Sequence, residues 1–530
     1  MQLTSDGRPK AQFLLTDGSR LYFVEDTPEG TQSLVAVPTA GGDPTPIATP
    51  FREFGLTDIS RRRSELLIGT PAPGGGALWT LPLAGGTPHR VGDLIVDHAA
   101  WSPDGERIAY TKGCDLYLAK SDGTDPRKLV TLPGHIEGLS WSPDGRILRL
   151  PVRILGRDAS EFWDVAADGT GLHRVLPLGQ GGGGGSWTPD GGYFLFDTSI
   201  SPEKARLWAF RERRSFLERA PREPVELAAA VPIEFESFAP SLDGKKIFAM
   251  GLHRRPELAR YDARLKEFVP YLGGIASSWA SFSRDGNWVA YLSLPQRALW
   301  RAKADGSQPV QLTFAPLEGD GLAWSPDGKQ IALRARMPGK PWKVYLVPAE
   351  GGAAVPLTST DKEEGIATWS GDSKKIVFGD VPPHFGHDNG TYALHVVDVE
   401  TREVSDLPGS KGVWTSRWSP DGRYVAALTI ALVPKLRLFD FTTHQWRELG
   451  DTGVNNPTWS HDGRYIYFDG VPPSAIYRVR ISDGKLERIA DLGGIERTTG
   501  WGCGLAPDDS PLITREVGFT EIYALDWEAP

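Results

Sequence analysis

The sequence predicts an all-β fold, a β-propeller with twelve four-stranded blades in total. Three observations predict it. A short segment, WSPDG followed by alternating apolar residues, recurs along the whole chain. Its copies are spaced by about 45 residues, the period of a four-stranded blade. No stretch of the 530 residues shows the apolar period of an amphipathic helix.

The clearest copies read WSPDGERIAY from Trp101, WSPDGRILRL from Trp141, WSPDGKQIAL from Trp324, WSPDGRYVAA from Trp418 and WSHDGRYIYF from Trp459. Aligned on the aromatic, twelve starts emerge: Leu14, Ile59, Trp101, Trp141, Trp187, Pro240, Phe282, Trp324, Trp369, Trp418, Trp459 and Leu505. Two are eroded. ISRRRSELLI at Ile59 has lost the turn residues, and LAPDDSPLIT at Leu505 has lost the aromatic.

Each copy justifies its elements in order. A first strand ends at the aromatic. Ser-Pro-Asp-Gly then turns the chain: proline sets φ, aspartate bonds nearby amides and glycine takes the positive φ. A second strand alternates, as in Ile108 and Tyr110. Leu116-Tyr117-Leu118 forms the third, Ser121-Asp122-Gly123-Thr124 a second hairpin turn, and Lys128-Leu129-Val130 the fourth. The second turn returns at Ala167-Asp168-Gly169-Thr170, Ala304-Asp305-Gly306-Ser307 and Ser482-Asp483-Gly484-Lys485.

Composition agrees. With 61 Gly, 43 Pro, 3 Met and 18 Trp, the chain is rich in tight turns and sheet-favouring aromatics. A net charge of -9 argues against a globally basic nucleic-acid surface, and no direct nucleic-acid binding is expected. Cys114 and Cys503 have no CxxC or metal spacing, which rules out a disulfide framework but leaves room for one long-range bridge. The opening MQLTSDGRPK lacks the apolar core of a signal peptide, and no run has transmembrane length. The chain thus reads as soluble: cytoplasmic as written, or a fragment of an extracytoplasmic protein.

The WSPDG strand pair resembles the blade repeat of TolB-type propellers, which also occurs in tricorn protease and the prolyl-oligopeptidase group. The resemblance covers 14–527 and implies the fold; those relatives range from scaffolds to protease gates. The ending GLAPDDSPLITREVGFTEIYALDWEAP is similar to the C-termini of bacterial regulators in which a propeller follows a winged-helix domain. No winged helix is recognisable in the sequence, so that resemblance implies only the sensor-like portion.

Closure is expected from the two ends. Gln2-Leu3-Thr4 matches a fourth strand such as Val310-Gln311-Leu312-Thr313, and the last copy stops after a third strand, Glu521-Ile522-Tyr523-Ala524-Leu525. Pairing them removes an open edge. Two tandem rings require a crossover inside one blade, between its third and fourth strands. The long connection 211–222 of the fifth copy suits it, giving a first propeller of about five blades over 1–214 and a second of about seven over 215–530. The alternative is a single twelve-bladed propeller over 1–530.

Motifs for common enzymes are missing: no G-x-S-x-G elbow, no P-loop after the glycine run 181–185, no H-E-x-x-H. That glycine run reads as a flexible inner strand or as backbone amides offered to a channel ligand. Propeller ligands sit where the innermost strands begin. Four residues before the aromatic stand Asp97, Glu137, Glu236, Asp320 and Asn455, with His98 and His135 beside two of them. Oxygen ligands with imidazole suit a divalent cation, calcium or zinc. Asp97, His98, His135 and Glu137 form the best local cluster if the third and fourth blades are neighbours. A second metal candidate is His384, His387 and Asp388 in a loop of the ninth copy. The arginine-rich run 206–222 and Arg61-Arg62-Arg63 read as solvated surface or as docking sites for an acidic partner.

The functional expectation is a non-enzymatic TolB-like propeller that binds a protein partner or a small-molecule or glycan ligand at the blade-top loops or the channel mouth. The alternative is a metal-dependent hydrolase or polysaccharide lyase with its site at the central channel.

Overall fold

A computed structural model describes the chain except for residues 28–30, 73–74, 155–159, 176–183, 199–205, 213–222, 228–232, 382–390, 432, 451–452, 471–473, 496, 498–503 and 529–530. The side chains of residues 11, 12, 198, 206, 234 and 236 are also outside the description. The described residues are all-β and form twelve sheets, the blades of a β-propeller fold. Among them no helix is long and apolar enough to cross a membrane. Cys114 is exposed, and Cys503 lies outside the described residues.

The chain divides into two compact units. The first is Met1–Arg254 with Gly518–Pro530. Its innermost strands, in ring order, are Lys10–Thr16, Gly55–Ser60, Ala99–Trp101, Ser140–Trp141, Gly185–Trp187 and Glu234–Pro240. Each contacts the next, and the last contacts the first, so six sheets close one ring. The second unit, Arg255–Val517, is built the same way on Ser277–Phe282, Glu318–Trp324, Thr368–Trp369, Val413–Trp418, Asn455–Trp459 and Gly504–Leu505. Gly504–Leu505 returns to Ser277–Phe282, and Leu505 and Ile513 pack against Tyr467 and Ile476 to complete that ring.

This division corrects the expected boundary near 214 and the single ring over 1–530. The fifth copy completes its own sheet, because Arg206–Arg211 pairs with Val225–Leu227. The chain changes unit in the sixth and twelfth copies instead, between second and third strands. Lys246–His253 pairs with Phe519–Asp526, while Pro256–Asp262 pairs with Pro511–Glu516. The physical reason is partner exchange. The two copies trade equivalent third strands, so every edge remains filled and no long connection is needed. Gln2 pairs with Tyr523, and Leu3 N–H donates to the Ile522 carbonyl at 2.7 Å, which gives the sixth sheet of the first unit its outer strand.

The repeated turn is held by its own side chains. Ser142 Oγ donates to Asp144 at 2.7 Å and accepts the Ile147 amide at 2.9 Å, while Asp144 accepts the Arg146 amide at 3.1 Å. The same bonds recur around Ser241, Ser283, Ser325, Ser370 and Ser460. Gly145, at φ 70°, takes the left-handed seat. Three tryptophans of the motif tie sheets together by a hydrogen bond. Nε1 of Trp141, Trp369 and Trp459 donates to the carbonyls of Ala100, Ala323 and Arg417, each the residue just before the aromatic position of the preceding sheet.

Candidate functional site

The six innermost strands of the first unit surround a channel cavity of about 800 Å³. They position its lining through the residue before each aromatic position: Phe13, Asp58, Ala100, Ser140, Ser186 and Ala239. Asp58 is the one charged member of that set. Its carboxylate accepts the Trp101 amide at 2.7 Å, so it braces the neighbouring strand while facing the cavity. Burial pushes its carboxyl up to about 6, against the opposing pull of the Ile59 and Trp101 amides and the Arg61 charge. Arg61 donates from Nε to the Thr16 carbonyl at 3.1 Å, and Arg61 and Arg62 line the same cavity. Phe13, 40% exposed, supplies apolar surface beside them.

At the end where the innermost strands begin, the channel narrows to a pocket of about 50 Å³ lined by His98, Thr57, Ser140, Arg149 and Gly184 among others. Arg149 is 1% exposed and fully engaged. Its Nε and Nη2 each reach Asp164 at 2.8 Å, Nη1 reaches Glu212 at 2.5 Å, and the guanidinium lies 4.4 Å from the Trp187 ring centroid. It forms one wall of the pocket. Gly184 N–H donates to Asp197 at 3.1 Å, and residues 181–183 of the glycine run lie outside the described residues.

The third and fourth sheets are neighbours, and they bring Asp97, His98, His135 and Glu137 into one region. Burial lowers the His98 imidazole, the charges of Asp97 and Glu137 oppose that, and His135 reinforces it. Both carboxylates are occupied, however. Asp97 accepts the Gly113 amide at 2.7 Å, and Glu137 takes hydrogen bonds from Arg153 and Ser160. Among the described residues no three His, Cys, Asp or Glu side chains are grouped so as to hold a metal ion. The Glu236 side chain, and His384, His387 and Asp388, lie outside the described residues.

Asp320 and Asn455 belong to the second unit, so the acidic positions anticipated from the sequence are divided between two rings. Asp320 is taken by Arg334 and by Arg297 at 3.4 Å. The reason is a recurrent β-bulge. Pairing slips between Leu56 and Asp58, Phe235 and Ser237, Gly319 and Gly321, Trp414 and Arg417, and Asn455 and Thr458. A bulge breaks the two-residue alternation, so the position four before the aromatic has no common direction. The residue just before the aromatic lies past the bulge and keeps its phase. A charge standing there, as in Asp58, was the signal in the sequence that pointed to the channel lining.

No protein-family model matches the chain. It is 24% identical over 170 residues to the uncharacterized peptidase YuxL of Bacillus subtilis, a match covering 32% of this chain. That match spans about a quarter, 24%, of the relative's length. Similar solved structures include a putative TolB from Agrobacterium tumefaciens, at TM-score 0.39 and 16% identity, covering 52% of this chain and 99% of that one. A GH74 enzyme of Niastella koreensis has TM-score 0.38 and 11% identity over 96% of this chain and 90% of its own. The tricorn protease has TM-score 0.36 and 11% identity over 97% of this chain and 60% of its own. Likenesses at this level assign no activity to the chain.

Proposed function

We propose that the chain is a non-enzymatic recognition module whose first unit binds a small polar ligand, a small molecule or glycan bearing hydrogen-bond donors, in its channel. One observation carries this reading: a desolvated carboxyl, Asp58, faces a cavity of about 800 Å³. That volume falls within the roughly 300–1,000 Å³ of small-molecule sites. A carboxyl held up to about 6 by burial gains from a ligand donor that the cavity wall does not fully supply. Phe13 offers an apolar face, and the Ser140 and Ser186 positions offer small polar ones. A protein partner at the blade-top loops is the other form of the same reading. Two of the loops that would carry it, 213–222 and 382–390, lie outside the described residues.

The alternative enzyme, a metal-dependent hydrolase or polysaccharide lyase, draws its support from the proximity of His98 to Asp97, His135 and Glu137. A single titration separates the two. Tryptophan fluorescence and calorimetry are followed with neutral oligosaccharides and short diamines, before and after dialysis against EDTA. Recognition predicts saturable, EDTA-insensitive binding by one of these probe classes, weakened about tenfold or more in Asp58→Asn. Binding unchanged in Asp58→Asn, or absent from both proteins, would remove the channel reading. EDTA-sensitive turnover of an oligosaccharide or ester, lost in His98→Ala with His135→Ala, would establish the enzyme instead.

A further inference from the structure

We infer that the channel of the second unit holds a separate site for a small carboxylate-bearing molecule, anchored by Arg417. Arg417 stands just before the aromatic of its innermost strand, the register position that Asp58 holds in the first unit. It is 7% exposed. Its guanidinium lies 5.8 Å from the Trp279 ring centroid. Trp279 belongs to Ser277–Phe282, three sheets from Val413–Trp418 in either direction around the ring. A contact between opposite sheets places the side chain across the channel.

That cation has almost nothing to bind. Among the described residues no carboxylate forms an ion pair with it, and of its five N–H donors only one is used, from Nη1 to the Ser416 carbonyl at 3.0 Å. Burial alone draws its pKa down to about 10, which leaves it charged at neutral pH. A buried guanidinium without a counter-ion is strongly unfavourable, and the hydroxyl of the preceding residue is also unsatisfied. Ser416 Oγ is buried and has no hydrogen-bond partner. The backbone leading to this pair is strained: Thr415 sits at φ 50°, a left-handed seat that a β-branched residue rarely takes. The corresponding residue of the next strand is Asn456, at φ 49°, and asparagine tolerates that conformation. The bulge that imposes the strain also sets the direction of Arg417.

The ligand's class follows from charge balance. Among the described residues no second cation reinforces or repels Arg417, so one negative charge neutralises the site and two would leave an excess. A planar carboxylate fits a guanidinium fork through two parallel hydrogen bonds. A phosphate dianion is the poorer match.

The full chain tests this in a carboxylate-free buffer. Melting midpoints and calorimetry are recorded with acetate, propionate, benzoate, phosphate and chloride. The expected result is saturable stabilisation by a carboxylate that weakens about tenfold or more in Arg417→Met and is retained in Asp58→Asn. Without ligand, Arg417→Met should melt at or above the wild-type midpoint. Crystals of the wild type soaked in 4-bromobenzoate, whose aryl bromide does not alkylate thiols or imidazoles, should show an anomalous peak beside the guanidinium, a readout independent of any variant. Phosphate binding tighter than every carboxylate, an anion effect unchanged in Arg417→Met, or no bromine peak at Arg417 overturns the assignment. Because Asp58→Asn is expected to leave this site intact, its failure and the failure of the first-unit reading are distinguishable.

Discussion

Two residues, Asp58 and Arg417, carry charge at a position that elsewhere holds Phe13, Ala100, Ser140, Ser186, Ala239, Ser281, Ala323, Thr368, Thr458 or Gly504. The Asp58 carboxylate braces the neighbouring strand through the Trp101 amide, yet its burial costs stability in a way that pH can read. Its folded pKa of about 6 lies above the unfolded value of 3.8, so the folded state holds the proton more tightly. The penalty is absent below the unfolded value, grows as pH rises between the two and is complete above 6. A rise of about two pH units corresponds to about 3 kcal/mol at most. Asp58→Asn keeps an oxygen for the Trp101 amide, so it should stabilise the chain at pH 8 and gain much less at pH 4.5. Urea melts at the two pH values check this; an equal gain at both would mean that Asp58 is not desolvated. Stability given up at one residue and recovered on binding is the usual mark of a ligand site.

At the scale of elements, the blade was legible because its signals are local. Ser-Pro-Asp-Gly closes its own hydrogen bonds within six residues, so the turn at Ser142 forms whatever surrounds it. The tryptophan was legible as packing, while its bond to the preceding sheet depends on ring geometry that no single repeat contains. Bulges were not legible, since an extra residue in a short strand leaves no compositional trace, so the sequence did not determine which way Asp97, Glu137, Glu236, Asp320 and Asn455 face. The outer strand of the first unit's sixth sheet is the most exposed to test. Met1 and Leu3 exchange backbone bonds of 2.7 to 2.8 Å with Ala524 and Ile522, and Leu3 is buried. Three bonds at about 1 kcal/mol each and one leucine at about 2 kcal/mol make this strand worth about 5 kcal/mol. Deleting residues 1–4 should therefore lower the first unit's melting midpoint by roughly 10 °C. A calorimetric trace with an unchanged transition would show that the strand does not close the sheet.

At the scale of the molecule, six sheets close each unit, and the second unit is one uninterrupted segment, Arg255–Val517. Residues 255–517 expressed alone should melt cooperatively and show native near-UV dichroism. Residues 1–254 alone lack Phe519–Asp526, the partner of Lys246–His253, and should aggregate through that edge. An insoluble 255–517 fragment would refute the partition. The sequence by itself determined the blade, its repetition and the all-β class, because turn chemistry and apolar alternation act within a few residues. Tertiary structure alone decided that the repeats close as six and six, and which charges face a channel. Third strands of equivalent repeats can exchange sheets at no cost in pairing, and a one-residue bulge reverses which face a side chain meets; both depend on contacts hundreds of residues apart.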